Sequence, residues 1–230
     1  MFTNGCNLSC PYCHNPTLIS PSVVPPDFLS REEVMSFLQR RRGVLTAVCI
    51  TGGEPTIHDD LAGLIEQIHE LGLKVKVDTN GTLPHRLEAL EVDYVAMDLK
   101  TAPSKYERVA TYGAGAASGA ETRTGAGSDA GAAPGGGTAA RIRRAAKVVR
   151  GMGVTYEFRT TVVPGIVDQN DMEEICESLE PGDSYTLAQF RPLVTLDPSY
   201  ESVTPYPIEE LEAMQQHCLD HGIDAHVRIQ

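Results

Sequence analysis

Thr46-Ala47-Val48-Cys49-Ile50-Thr51 runs without a break into Gly52-Gly53-Glu54-Pro55. The first six residues form a short run rich in β-branched side chains, as expected of a buried strand; two glycines and a proline end it abruptly. Two glycines at that point let the backbone approach a ligand closely, and Glu54 places a carboxylate at the strand's C-terminal end. Taken alone, Gly-Gly-Glu-Pro is also an ordinary strand-to-helix turn.

The same strand-then-helix rhythm extends in both directions. Strands are expected at Thr46–Thr51, Leu73–Thr79, Asp93–Asp98, Val154–Val163, Ser184–Phe190 and Ile223–Ile229. Between them, Ser30 followed by Glu33 reads as a capping box opening a helix that closes on Arg40, Arg41 and Arg42. Leu61, Leu64, Ile65, Ile68 and Leu71 make one apolar face ended by Gly72. Asn170 with Glu173 is expected to open another helix, and Leu211, Met214 and Cys218 line a last one. Alternation of this kind specifies an α/β fold with a parallel sheet.

Composition narrows the function classes. The 230 residues carry 19 Lys plus Arg against 31 Asp plus Glu, a net charge of −12, which argues against broad nucleic-acid binding. Hydrophobic residues at 41% are enough for a real core, and no apolar run approaches the ~20 residues of a membrane span. No signal peptide is recognisable, so six cysteines imply thiols or a metal site in a reducing compartment, and a cytoplasmic location is expected. One domain covering 1–230 is expected, with 111–140 as a flexible insertion: that segment holds nine glycines and ten alanines and almost no large apolar side chain.

The chemistry begins near the N-terminus, at Cys6-Asn7-Leu8-Ser9-Cys10-Pro11-Tyr12-Cys13. Three thiolates spaced C-x3-C-x2-C can hold three corners of a [4Fe–4S] cubane, which normally takes four, and so leave one iron open for reaction. A zinc site with His14 as fourth ligand is the bland alternative, set against the poor geometry of ligands on adjacent residues. Cys49 is expected to be an inert buried thiol. Cys176 and Cys218 lie singly on helices and are not expected to hold a second cluster, and apart from His14 no histidine shows ligand spacing. Asp78, Thr79 and Asp98 place oxygen ligands at successive strand ends, where they can hold a cation or a charged ligand group.

The cysteine loop and Gly52-Gly53-Glu54-Pro55 together make the sequence resemble the radical S-adenosylmethionine (radical SAM) superfamily. Cys13-His14-Asn15-Pro16, Val77-Asp78-Thr79-Asn80-Gly81, Met97-Asp98-Leu99-Lys100 and Tyr156-Glu157-Phe158-Arg159 through Gly165 make it similar to the activating enzymes of glycyl radical enzymes, above all those of anaerobic ribonucleoside-triphosphate reductase. The resemblance implies a partial (β/α)6 TIM-like barrel with its motifs at the strands' C-terminal ends. It implies a [4Fe–4S] cluster on Cys6, Cys10 and Cys13, S-adenosylmethionine against Gly52, Gly53, Glu54 and Pro55, and a monovalent cation at Asp78, Thr79 and Asp98. Lys100 and Arg159 are then expected to neutralise ligand carboxylates, and Tyr12 to shield the iron or touch adenine. A glycyl radical enzyme is the implied partner, with flavodoxin or ferredoxin as reductant. Two alternatives stand beside this: a radical SAM enzyme acting on a small molecule or peptide, such as a deazapurine carboxylate synthase, and a non-catalytic Fe–S or zinc module.

Two further readings concern the chain's ends and faces. Only Met1–Gly5 precede Cys6, so the first strand is expected to be truncated, which puts Met1 in question as the start. Arg141, Arg143, Arg144, Lys147 and Arg150 make one basic run on a helix whose Ile142, Val148 and Val149 face inward. That run is either a solvated face or a docking surface for an acidic partner.

Overall fold

The computed structural model describes residues 1–20, 27–110 and 137–229. Seven strands lie side by side in chain order, each parallel to the next: β1 (Phe2–Thr3), β2 (Ala47–Gly52), β3 (Lys74–Thr79), β4 (Tyr94–Asp98), β5 (Thr155–Val162), β6 (Ser184–Gln189) and β7 (Asp224–Arg228). The sheet is open, with β1 and β7 at its edges. The six expected strands are all present, most with slightly tighter ends, and β1 is the seventh: two residues that pair Phe2 with Thr51 and Thr3 with Gly52.

The helices are α1 (Arg31–Arg41), α2 (Leu61–Glu70), α3 (Pro84–Leu87), α4 (Glu107–Ala110), α5 (Thr138–Gly151), α6 (Asp171–Glu177) and α7 (Ile208–Asp220). Ser30 caps α1 as a capping box: its hydroxyl accepts from Glu33 N at 3.2 Å, and Glu33 Oε2 accepts from Ser30 N at 2.8 Å. Asn170 makes no side-chain cap on α6. Asp168 does that work instead, accepting from Asn170 N and Asp171 N. Helix α5 starts at Thr138, so the last residues of the expected insertion are helical, as two consecutive alanines favour. Residues 111–136 lie outside the described residues. None of the described helices is long and apolar enough to cross a membrane.

Alternation along the strands builds the core. In β2, Val48 and Ile50 are buried, whereas Cys49 points the other way and is exposed, which corrects the expected buried thiol. Val75, Val77, Val95, Met97 and Phe158 are fully buried, together with Ile65 and Ile68 of α2 and Ile142 and Val149 of α5. Each such side chain contributes about 1.5–3 kcal/mol of transfer free energy.

The basic run of α5 divides. Arg141, Arg143, Arg144 and Lys147 are exposed; Arg143 and Arg144 approach Glu174 and Glu88 at 3.9 and 3.6 Å. Arg150 belongs to the interior. Its guanidinium forks onto Asp183, donates to the Ser178 carbonyl at 3.2 Å and lies 5.3 Å over the Phe158 ring. Asp183 is 2% exposed, so removing its cation leaves a buried carboxylate uncompensated. Arg150→Ala is expected to lower unfolding free energy by about 3 kcal/mol in denaturant titrations, with Arg150→Lys recovering only part of it because an ammonium lacks the fork.

Candidate active site

Because every strand is parallel, all C-terminal ends fall on one edge, and the motifs collect there. The cysteine loop leaves β1, Gly52 closes β2, Asp78 and Thr79 close β3, Asp98 closes β4, and Arg159 stands within β5 opposite Asp98 in register.

The two glycines admit the cysteine loop itself. Gly52 has φ +120°, and a Cβ there would overlap the Thr3 backbone; a Cβ on Gly53 would overlap the Gly5 carbonyl. In the space so left, Gly53 N donates to Thr3 O at 3.0 Å and Glu54 N to Gly5 O at 2.8 Å. The close approach that the sequence assigned to a ligand is therefore made first by the chain's own backbone.

Glu54 is 1% exposed and its carboxylate is enclosed. Oε1 accepts from Thr56 N, Thr56 Oγ1 and Thr79 Oγ1 (3.1, 2.5 and 2.7 Å), and Oε2 accepts from Asn80 N at 2.6 Å. Burial raises its pKa above the ordinary carboxylate value, against the pull of these hydrogen bonds. Asn80 carries the connection onward: its Nδ2 donates to Asn7 Oδ1 at 2.9 Å and lies 4.0 Å from Cys6 Sγ, while Asn7 Nδ2 donates to Thr82 Oγ1 at 2.7 Å. Asn7 and Asn80 were not among the expected site residues, although both sit inside the quoted motifs. Side-chain amides between two catalytic stretches are the signal that would have found them.

From the other side, Tyr12 is 6% exposed and its hydroxyl donates to the Lys100 carbonyl at 3.1 Å, tying the cysteine loop to the end of β4. Leu196 N donates to Cys13 O and Asp197 N to Pro11 O, at 3.0 and 2.9 Å. His14 stacks on Phe190 with ring centroids 5.7 Å apart, and its Nε2 meets the Arg191 carbonyl at 2.8 Å, so this nitrogen already has a partner other than a metal.

The result is a cavity of about 210 Å³ in which Cys6, Cys10 and Cys13 face Gly52, Gly53, Glu54, Asp78, Thr79, Asp98 and Lys100, with Tyr12 and Asn80 also in its wall. Pro55, buried in a turn of 3-10 helix, and Arg159 are not part of the cavity wall. Burial pushes the Cys10 thiol up to about 12, with Lys100 pulling the other way, so Cys10 is a thiolate at neutral pH only where a metal takes the proton's place. Three thiols on one wall, with oxygen and backbone groups opposite, are a donor set that fits an Fe–S cluster held by three cysteines.

The charged groups are arranged differently from expectation. Arg159 donates to Asp98 Oδ1 at 2.8 Å and to Asp78 Oδ2 at 3.3 Å, and Lys100 Nζ donates to Asp98 Oδ2 at 2.9 Å. Burial would raise Asp98, but Lys100 and Arg159 outweigh it and hold the carboxyl at about 2. Both oxygens of Asp98 are thus matched by cations of the chain, and Thr79 Oγ1 is engaged by Glu54 and by Gly81 N. Of the oxygens expected to hold a monovalent cation, Asp78 Oδ1 is the one buried without a hydrogen bond, 3.5 Å from Lys76 Nζ.

Cys176, Cys218 and two histidines fall outside this cavity but not apart from each other. The two sulfurs are 3.3 Å apart, and His217 and His221 share one helix face with ring centroids at 4.5 Å. The i, i+4 spacing of these histidines was the signal overlooked in the sequence.

The sequence pattern of the Radical SAM superfamily matches residues 1–179. A Methanocaldococcus jannaschii protein provisionally named a glycyl-radical enzyme activating enzyme is 29% identical over 214 residues, covering 91% of this chain and 79% of its own length. The 7-carboxy-7-deazaguanine synthase of Hyperthermus butylicus is 31% identical over 176 residues, covering 75% of this chain and 71% of its own. Among solved structures, Streptococcus suis SuiB bound to S-adenosylmethionine superposes with a TM-score of 0.64 at 16% identity, covering 98% of this chain; the chain spans about half of SuiB, at 48%.

Gly53→Ala is expected to displace the cysteine loop and to cut iron uptake during anaerobic reconstitution at least tenfold, whereas Gly43→Ala, which meets nothing within 4 Å, should load normally. Asp98 titrates below an unfolded value near 4, so its contribution to stability is complete above about pH 4 and is lost as pH falls towards about 2. Asp98→Asn should flatten that acid limb of the stability curve and, by stranding Lys100 and Arg159, cost about 3 kcal/mol at neutral pH.

Proposed function

The chain belongs to the radical SAM superfamily, and we propose that within it this protein is an activase that abstracts a hydrogen atom from a glycine of a partner enzyme, an anaerobic ribonucleoside-triphosphate reductase. Members of the family carry a [4Fe–4S] cluster and bind S-adenosylmethionine. When reduced, the cluster would supply the one electron for reductive cleavage of S-adenosylmethionine, the chemistry from which hydrogen-atom abstraction would follow.

The observation that carries the reading is the shared cavity: the three cysteines and the Gly52–Glu54 stretch face one another across it. Cys6, Cys10 and Cys13 would hold the cluster as three thiolate ligands, with S-adenosylmethionine bound beside it in the same cavity. Gly52 and Gly53 expose backbone to that ligand, and Glu54 fixes the turn on which they sit. Asp98 and Lys100 provide the charged wall opposite, with Lys100 and Asp98 already paired.

Choosing a protein as the substrate rests on two supports. A relative that matches 91% of this chain is itself an activating enzyme by its provisional name. Leu193 and Val194, 53% and 66% exposed, sit on the loop whose Leu196 and Asp197 bond to the cysteine loop, so an apolar surface borders the site. A flavodoxin or ferredoxin is the reductant this chemistry calls for, with no role for nucleic acid or membrane. The deazaguanine synthase likeness favours a second reading, a small-molecule substrate.

The test is anaerobic reconstitution with iron and sulfide, reduction, and addition of S-adenosylmethionine. Wild type is expected to release 5′-deoxyadenosine and Cys10→Ala none; no release from wild type rejects radical chemistry. With the reductase present, a glycyl radical signal by electron paramagnetic resonance supports the activase, whereas 7-carboxy-7-deazaguanine formed from its deazapurine precursor assigns the second reading.

A further inference from the structure

On the helical layer, away from the strand-end cavity, α6 and α7 bring four side chains with metal-ligating atoms together. Cys176 Sγ and one ring nitrogen from each of His217 and His221 all lie within 4.8 Å of one another. Cys218 Sγ is 3.3 Å from Cys176 Sγ. The imidazoles are disposed as ligands. His221 Nδ1–H donates to the His217 carbonyl at 2.8 Å, which fixes the ring and leaves its lone pair on Nε2, the outer hydrogen bond that metal-bound histidines commonly carry. His217 Nε2 is buried without a hydrogen bond, 3.5 Å from the Glu173 carboxylate.

We propose that Cys176, His217 and His221 form a site for a zinc-type divalent cation that clips α6 to α7. One thiolate and two imidazoles suit zinc and its neighbours, whereas calcium and magnesium seek oxygen. A tetrahedral ion bonded at about 2.0–2.3 Å draws its donors to about 3.3–3.8 Å of each other, a closure of about 1 Å from the present spacing. Movement of the His217 ring, which is partly exposed and whose Nε2 has no hydrogen bond, towards the fixed His221 ring and the Cys176 sulfur supplies it. Glu173, 65% exposed, is placed to take the fourth position. Cys218 is fully buried, and its sulfur is nearer to Cys176 than the about 3.8 Å that separates two zinc thiolates, so it stands outside the ligand set; once a metal displaces the Cys176 proton, the Cys218 thiol is left as the donor to the Cys176 sulfur. Binding exchanges the Cys176 proton for the metal and releases that proton to solvent; no electron moves. None of these residues lines the strand-end cavity, so the site is separate from the cluster.

The experiment uses the full chain with Cys6, Cys10 and Cys13 each replaced by Ser, kept reduced, and titrated with cobalt(II). The expected result is a single equivalent bound with thiolate-to-metal absorption, displaced by zinc, and an affinity at least about tenfold lower in Cys176→Ser or His217→Ala. Unchanged binding in those variants, or no uptake at all, overturns the proposal. Should the serine background fail to fold, the reconstituted wild-type holoenzyme serves instead: zinc per chain by mass spectrometry is expected to vanish in the His217→Ala, His221→Ala double variant while iron stays constant. Zinc that is absent from wild type or persists in that variant, or recovery of Cys176 and Cys218 as a metal-free disulfide under reducing conditions, contradicts it.

Discussion

The candidate site depends on one buried carboxylate. Glu54 sits where β2 ends and accepts hydrogen bonds from its own turn, from Thr79 and from Asn80, so that two strand ends and the cysteine loop meet at a single group. A buried carboxylate with too few partners is costly; this one offsets part of its desolvation through short, charge-assisted bonds that fix the backbone around it. Asn80 passes the constraint to Asn7 and towards the Cys6 sulfur. Donors near a cluster sulfur also tune reduction potential, so the same network that positions the loop bears on its chemistry.

A second layer of charge supports the first. Asp78, Arg159, Asp98 and Lys100 form an alternating series across the ends of β3, β4 and β5, drawn into line by parallel register. Because each carboxylate is matched within the chain, the cavity wall is ordered before any ligand arrives. Preorganised dipoles and charges of this kind are what binding a zwitterionic ligand in a small cavity requires.

Much of this was legible in the sequence. Apolar periodicity located six strands, and the cysteine spacing with Gly52-Gly53-Glu54-Pro55 located the cavity, because local pattern and parallel topology fix which strand ends meet. What sequence alone did not show lies in long-range pairing. Glu54 read as a ligand contact is largely enclosed by Thr56, Thr79 and Asn80; Arg159 read as a ligand cation pairs with Asp78 and Asp98; and Tyr12 read as an iron shield anchors its hydroxyl on Lys100. Cys49, read as buried from its place in mid-strand, is exposed, because alternation along β2 turns Val48 and Ile50 into the core and Cys49 to the other face. Cys176 and Cys218 are 42 residues apart, so only packing of α6 on α7 could bring their sulfurs together.

The most direct test of the central claim, that Glu54 holds the cysteine loop in place, is cluster loading of Glu54→Gln measured as iron and sulfide per chain after anaerobic reconstitution. Glutamine keeps the shape but turns an amide N–H2 or a weaker acceptor towards Thr79 and Asn80. A parallel fall in iron content and in the thermal midpoint of the metal-free chain is the predicted result. Full cluster loading with an unchanged midpoint, and only S-adenosylmethionine binding weakened, would show that Glu54 acts on the ligand and not on the loop.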